Sequence, residues 1–107
     1  MHPRRRLTAR GLQRFQGSIA AAGFASGDQV VVGAWRRSPL GRVLDVMWVR
    51  PDGERVLLAP SPAVRDHVAD LYTFERTEVV PTSVQRDGPT LRVAAGPLAL
   101  ELTPGPA

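Results

Sequence analysis

Four residues in the middle of the chain could bind a small anion: Arg36, Arg37, Ser38 and Asp45. Arginine presents a planar set of donors that matches a carboxylate or phosphate, so an apolar pocket ending in Arg and Asp could bind a small organic acid. In that interpretation Asp45 faces a pocket, burial raises its pKa, and it takes part in binding or proton transfer. The simpler alternative is a structural role near the sheet rim, in which Asp45 accepts hydrogen bonds from a turn or pairs with Arg36, Arg37 or Arg42, because buried carboxylates are usually paired.

Several kinds of catalysis are excluded by residue types that the chain lacks. It has no cysteine, and all 14 of its basic residues are arginine. Thiolate nucleophiles, disulfides, Schiff-base lysines and P-loop lysines are therefore impossible. Ser38 has no G-x-S-x-G motif around it, and no glycine-rich phosphate loop occurs. We expect no catalytic residues and no cofactor, which favours a protein that is not an enzyme.

A metal site is not expected either. The chain has two histidines, His2 and His67, and neither has a second histidine or a glutamate at the spacing that metal sites use. His67 is expected at the border of a helix and His2 near the start of the chain.

Positive charge is concentrated at the N-terminus. The first 14 residues contain no acid and five arginines, whereas the rest of the chain has nine arginines and ten acids. Those five could contact the phosphates of nucleic acid or an anionic lipid surface: Arg4, Arg5, Arg6, Arg10 and Arg14. The simpler interpretation is a solvated arginine face, since no helix-turn-helix or zinc-finger pattern accompanies them.

Two helices are predicted. Leu12, Phe15, Ile19 and Ala22 recur at spacings of three and four residues, which indicates an amphipathic helix over about residues 8–22. Ser61 followed by Pro62 is typical of a helix start and predicts a second helix over about residues 62–72, with an apolar stripe that includes Leu71 and Tyr72.

The strands are easier to place. Residues 43–49 and 55–58 are apolar and β-branched, and Asp52-Gly53 between them predicts a hairpin. Residues 28–35 precede them and complete an antiparallel meander. The strand at 43–49 is apolar on both faces, so we expect both to be covered. Further strands are expected at 75–84, 91–94 and 98–102, with Pro81 marking an edge or a bulge.

These elements predict an α+β fold: a curved, mainly antiparallel sheet of five to six strands, with the helix at about 62–72 packed on it and the N-terminal helix at about 8–22. We expect a basic disordered arm over residues 1–7, one domain over 8–102 and a frayed tail over 103–107. No apolar stretch is long enough for a membrane-spanning helix, so a cytoplasmic location is expected. The last strand would leave an open sheet edge that a partner strand could cover, which suggests a homodimer.

One motif resembles a known family. The run from Trp35 to Gly41, followed after three residues by Asp45, is similar to the aromatic, Ser-Pro-aliphatic-Gly and acid motif of acetoacetate decarboxylase-like proteins. The resemblance implies a curved sheet around an apolar cavity, with Asp45 in the cavity region. Arg42 and Val43 replace the proline and aromatic that often follow the glycine, and the Schiff-base lysine is absent. More broadly, residues 27–81 look like a small domain of uncharacterised actinobacterial proteins.

The sequence therefore favours a non-enzymatic binding or assembly module that self-associates through a sheet edge or an apolar face and that could contain a small apolar cavity. Two alternatives stay open. One is an accessory protein that contacts nucleic acid through the arginine arm, and the other is an inactive fragment of an acetoacetate decarboxylase-like enzyme.

Overall fold

The computed structural model describes residues 5–10, 13–15, 19–35 and 43–103, with side chains described for 20–34 and 43–103. This part of the chain contains one helix, α1 (Pro62–Ala69), and ten strands. The strands are β1 (Arg5–Arg10), β2 (Gln13–Phe15), β3 (Ile19–Gly23), β4 (Gln29–Trp35), β5 (Val43–Val49), β6 (Arg55–Ala59), β7 (Arg76–Val79), β8 (Thr82–Asp87), β9 (Thr90–Ala95) and β10 (Leu98–Thr103).

The strands form two sheets. One has four strands in the order β1-β10-β9-β8, and the other has six in the order β2-β3-β4-β5-β6-β7. Neighbouring strands are antiparallel except in the pairs β1–β10 and β6–β7, which are parallel. The β6–β7 pair is connected through α1, as a parallel pair requires a crossover. The α+β class with mainly antiparallel sheets is confirmed.

The two sheets pack face to face. The face of the six-stranded sheet that points at the other sheet, here called the inner face, carries Val32, Val46, Trp48, Val56 and Leu58. These side chains form one cluster with residues of β9 and β10 whose exposure is 3% or less, including Val93, Leu98, Leu100 and Leu102. Val46 and Trp48 of β5 share the inner face because every second residue of a strand points to the same side of the sheet.

The opposite face of the six-stranded sheet, here called the outer face, is partly covered by α1. Leu57 and Ala59 of β6 pack against Val64 and Val68 of the helix. Ser61 caps α1, since its Oγ accepts a hydrogen bond from the Val64 amide at 3.2 Å. The prediction that β5 is covered on both faces is confirmed for the inner face and only in part for the outer face, where Met47 and Val49 are half-buried.

Tight loops at one end of the six-stranded sheet have the same hydrogen-bonding pattern. In the β5–β6 loop the Gly53 amide donates to the Arg50 carbonyl at 2.8 Å and the Arg50 amide to the Glu54 carbonyl at 2.9 Å. Gly53 has φ +92°, which fits the predicted Asp-Gly turn. The β3–β4 loop repeats this pattern around Gly27, also at φ +92°.

The prediction of an N-terminal helix over 8–22 is wrong for the described residues, which form β1, β2 and β3. Residues 5–7, predicted to belong to a disordered arm, are part of β1. The prediction of a single sheet with five to six strands is corrected to two sheets with ten strands. The cause is pairing between distant segments: β1 pairs with β10, for example Leu7 with Leu100. A local sequence pattern does not contain that information.

The C-terminal half needs two further corrections. Strand β10 lies between β1 and β9 and is not an edge, so the partner strand expected for it comes from the same chain. Helix α1 ends at Ala69, and Leu71 and Tyr72, predicted to be buried in its apolar stripe, are 65% and 56% exposed. Pro81 separates β7 from β8, and both are edge strands, as predicted for that proline.

Candidate functional site

The predicted anion site is only partly within the described residues. Arg36, Arg37 and Ser38 lie outside them, as do Arg42 and the turn up to Gly41. The ion pair or ligand site that combines them with Asp45 therefore stays a prediction. Of the predicted anion-contacting arginines, Arg4 lies outside the described residues, the backbones of Arg5, Arg6 and Arg10 are in β1, and that of Arg14 is in β2.

Asp45 is a buried carboxylate on the outer face. It pairs with Gly33 across β4 and β5, and it lies between Val43 and Met47, which pack on the α1 cluster. Its exposure is 4%, and its Oδ1 atom has no hydrogen-bond partner among the described residues. Burial raises the pKa of Asp45 from 3.8 to about 6, and a hydrogen bond with its own backbone partly opposes this. Asp45 is thus half-ionised in mildly acidic solution.

An open groove of about 690 Å³ lies on the outer face. We call it the outer groove. Its floor is formed by β3, β4 and β5, and its wall by the segment between α1 and β7. Asp45 does not line it. The lining residues are Ala21, Ala22, Gly23, Gln29, Val30, Val31, Met47, Trp48, Val49, Arg55, Tyr72, Thr73 and Phe74.

Strand register divides the floor of the groove into two rows. Ala21, Val31 and Met47 are paired across β3, β4 and β5, and they form an apolar row. Two residues further along each strand, Gly23, Gln29, Val49 and Arg55 form a second row that contains the polar side chains. Directly paired residues share a face of the sheet, so both rows point into the groove. The groove is therefore apolar along one side and polar along the other.

The wall of the groove follows the end of α1. Phe74 is half-buried and packs on the α1 cluster together with Met47. Tyr72 and Thr73 are exposed beside it, and Leu71 adjoins them. The main contacts of α1 are with β6 and β7, and Val31 of β4 and Met47 of β5 are only half-buried. The wall thus adds two aromatic side chains to the groove.

One ion pair lies at the polar side of the groove. Arg55 Nη2 donates to Glu75 Oε2 at 2.5 Å, Arg55 Nε lies 3.0 Å from both carboxylate oxygens, and the Arg55 amide donates to Glu75 Oε1 at 2.8 Å. These hydrogen bonds lower the pKa of Glu75 and raise the pKa of Arg55. Both residues are charged at neutral pH, and their charges cancel.

A buried hydrogen-bond network holds the loop beside the groove. Trp48 Nε1 donates to Asp28 Oδ1 at 2.9 Å, and Ser26 Oγ donates to Asp28 Oδ2 at 2.6 Å. Asp28 is fully buried, and the guanidinium of Arg50 lies 5.4 Å from the ring centre of Trp48. The network ties the β3–β4 loop to β5, because Trp48 of β5 and Ser26 of the loop each donate to one oxygen of the buried Asp28 carboxylate. It fixes the end of the sheet that carries Gly23 and Gln29.

Within residues 20–34 and 43–103, no group of three His, Cys, Asp or Glu residues is placed to hold a metal ion. His67 is exposed on α1. None of the described helices is long and apolar enough to cross a membrane.

The outer groove was not predicted from sequence. A signal for it exists in the run of small residues from Ala20 to Gly23, because small side chains on a strand leave space above the sheet. The position of the wall depends on the residue at which α1 ends. The predicted apolar stripe runs to Tyr72 and therefore puts the end of the helix too late in the chain. The buried Asp28 was also missed, and its signal is a turn sequence, Ser26-Gly27-Asp28, ahead of an apolar strand.

Comparison with known proteins gives no relative for this fold or this site. No protein-family model, no curated protein and no solved structure matches the chain. The resemblance of residues 35–45 to acetoacetate decarboxylase-like proteins therefore stays a prediction.

Proposed function

We propose that the protein is a small non-enzymatic binding module and that the outer groove is its working surface. The observation that carries the proposal is the incomplete cover of the outer face by α1, which leaves a groove of about 690 Å³ with an apolar lining. Small-molecule sites span roughly 300–1,000 Å³ and combine apolar walls with a few polar groups. Leaving such a surface open costs stability and solubility, so an open groove is typical of a binding site.

A substitution that fills the groove tests the proposal. Gly23 lines the groove, and a Cβ atom added there meets no atom within 4 Å. Gly23→Phe should therefore fill the groove without disturbing the fold. Nile red, an uncharged dye that fluoresces in apolar sites, should bind the parent protein, and Gly23→Phe should weaken that binding by about tenfold or more, the loss of roughly 1.4 kcal/mol of contact.

The matched control is Ser83→Phe. Ser83 is an exposed residue of β8, in the other sheet and away from the groove. Ser83→Phe adds the same side chain to a strand and should leave Nile red binding unchanged. Equal dye binding by the parent protein and by Gly23→Phe would contradict the proposal.

Self-association is a second candidate, and the exposure of Leu71 and Tyr72 beside the groove favours it. Two copies could place these side chains in each other's groove, as a twofold interface requires matching patches. Light scattering would then give a dimer mass that Tyr72→Ser converts to a monomer mass. A monomer mass for the parent protein at micromolar concentration would contradict this candidate.

The nucleic-acid alternative needs a test that keeps β1 in place. Since β1 pairs with β10, removing the first ten residues would uncover β10. Replacing Arg4, Arg6 and Arg10 by Gln removes charge and keeps the backbone. Loss of a salt-sensitive shift of DNA or RNA in a gel would support this alternative, and the absence of any shift at low salt would contradict it.

A further inference from the structure

We propose that the outer groove binds an uncharged, largely apolar small molecule that carries one hydrogen-bonding group, and that the Arg55–Glu75 ion pair makes the groove reject organic anions. This inference rests on the function proposed above. It adds the chemical class of the ligand and the residues that select it.

The apolar part of the ligand is assigned to the row formed by Ala21, Val31 and Met47. Val31 and Met47 are half-buried, and Phe74 packs beside Met47 on the wall side. Small residues at one side of the floor and an aromatic wall at the other suit a flat ring system. Burying apolar area there is favourable by about 25 cal/mol per Å².

The hydrogen-bonding part of the ligand is assigned to the second row. Gln29 is exposed on β4 and offers both a donor and an acceptor, and Thr73 adds a hydroxyl group from the wall. Both groups are uncharged. They suit one amide, hydroxyl or ring N–H at an end of the ligand.

The charge of the groove decides between neutral and ionic ligands. Arg55 is the one charged residue that lines the groove in the part of the chain that the structure describes. Its Nε and Nη2 atoms both donate to Glu75, which also accepts a hydrogen bond from the Arg55 amide. Because Glu75 neutralises Arg55, an organic anion meets no net positive charge there, and an organic cation would meet the guanidinium first. An ion placed there loses part of its hydration without a net gain of opposite charge.

Three probes with one ring system and different charges test the assignment: indole, indole-3-acetate and tryptamine. The full chain is titrated with each at about neutral pH while its backbone amides are followed by NMR. Indole should shift the amides of residues 21–23, 29–31 and 47–49, and should bind about fivefold or more tightly than either ion, the effect of roughly 1 kcal/mol of lost hydration. Tightest binding by indole-3-acetate or by tryptamine would overturn the inference and leave the proposed function standing.

A charge variant tests the role of the ion pair. Glu75→Gln keeps an acceptor for the Arg55 amide and leaves the guanidinium unneutralised, so it should tighten indole-3-acetate binding by about two- to fivefold, the range of exposed ion pairs, and leave indole unchanged. The control is Asp87→Asn, which breaks the exposed Asp87–Arg92 pair at 3.2 Å on the four-stranded sheet. Unchanged indole-3-acetate binding in Glu75→Gln would overturn the role of the pair. If no probe shifts the groove amides, the assigned ligand class is wrong, and the Nile red comparison of the parent protein with Gly23→Phe decides separately on the proposed function.

Discussion

The inner and outer faces of the six-stranded sheet belong to the same strands but differ in how completely they are covered. On the inner face Val46, Val56 and Leu58 have no exposure, and the second sheet covers them. On the outer face α1 covers β6 and part of β5, whereas Val31 of β4 is only half-buried. The inner face therefore supplies the core, whereas the outer face combines a small cluster with an open groove.

Buried polar groups occur on both faces of the six-stranded sheet. On the inner face Trp48 has its indole N–H bonded to Asp28, so the polar atom is satisfied. On the outer face Asp45 keeps one carboxylate oxygen without a partner among the described residues. The buried Nε of Arg76, which pairs with Val56 across β6 and β7, also has no hydrogen-bond partner among the described residues, so each face carries a buried polar atom that is not satisfied.

The largest expected effect comes from the inner face. Leu58→Ala removes a fully buried side chain between the sheets and should lower the free energy of unfolding by about 3 kcal/mol. Met47→Ala, at a half-buried position of the outer face, should cost only about 1 kcal/mol because the cavity it leaves opens to the groove. Urea unfolding of the two variants measures both values. Equal losses would mean that the outer face is as tightly packed as the inner one.

The buried carboxylate gives the second prediction, and the sign follows from its pKa. Folding raises the pKa of Asp45 from 3.8 to about 6, so the folded state holds the proton more tightly than the unfolded state. The penalty for ionising Asp45 is absent below about pH 4, grows between about pH 4 and 6, and is complete above that. Asp45→Asn should therefore stabilise the protein by up to about 3 kcal/mol near pH 7 and change little near pH 3.5.

Unfolding of Asp45→Asn across this pH range provides the measurement, with Asp87→Asn as the control. Asp87 is exposed on β8, and its replacement should give no comparable difference between the two ends of the range. A gain for Asp45→Asn that is the same at both ends would show that ionisation of Asp45 is not the cause.

The central elements could be predicted from sequence because their signals are local. Alternation in β5 indicated a covered inner face and a partly covered outer one, Asp52-Gly53 located the hairpin, and Ser61-Pro62 located the start of α1. The N-terminal strands could not be predicted in the same way. Spacings of three and four residues from Leu12 to Ala22 fit a helix, yet the strand pairings of β1 and β3 depend on β10 and β4. Tertiary pairing overrides local propensity in such segments.

The candidate site also has one part that could be predicted from sequence and one part that could not. Asp45 could be placed on a face with Met47 and Val49 because side chains alternate along a strand, and its burial fits an apolar setting. The outer groove needed three elements at once: small residues in β3, the end of α1 at Ala69, and the segment containing Phe74. No single stretch of sequence specifies how these elements meet.

Two glycines compare packing beside the core with packing at the groove, and the first lies in the turn between β9 and β10. Gly96 has φ +50°, and a Cβ atom added there would lie 2.6 Å from Val80, which packs against the inner cluster. Gly96→Ala should cost about 1–3 kcal/mol because strain and overpacking add. Gly88 has a similar φ of +58°, and a Cβ atom added there has no atom within 4 Å. Gly88→Ala therefore measures the loss of stability that the positive φ alone causes.

The second glycine gives the smallest effect and the opposite sign. Gly23 ends β3 on the outer face, has no positive φ, and an added Cβ meets nothing within 4 Å. Gly23→Ala should therefore raise the free energy of unfolding by about 0.5 kcal/mol, since the alanine chain loses less backbone entropy on folding. Thermal unfolding measures the shift. A loss of stability as large as that of Gly96→Ala would mean that the groove side is packed like the core, and the contrast between the faces would then disappear.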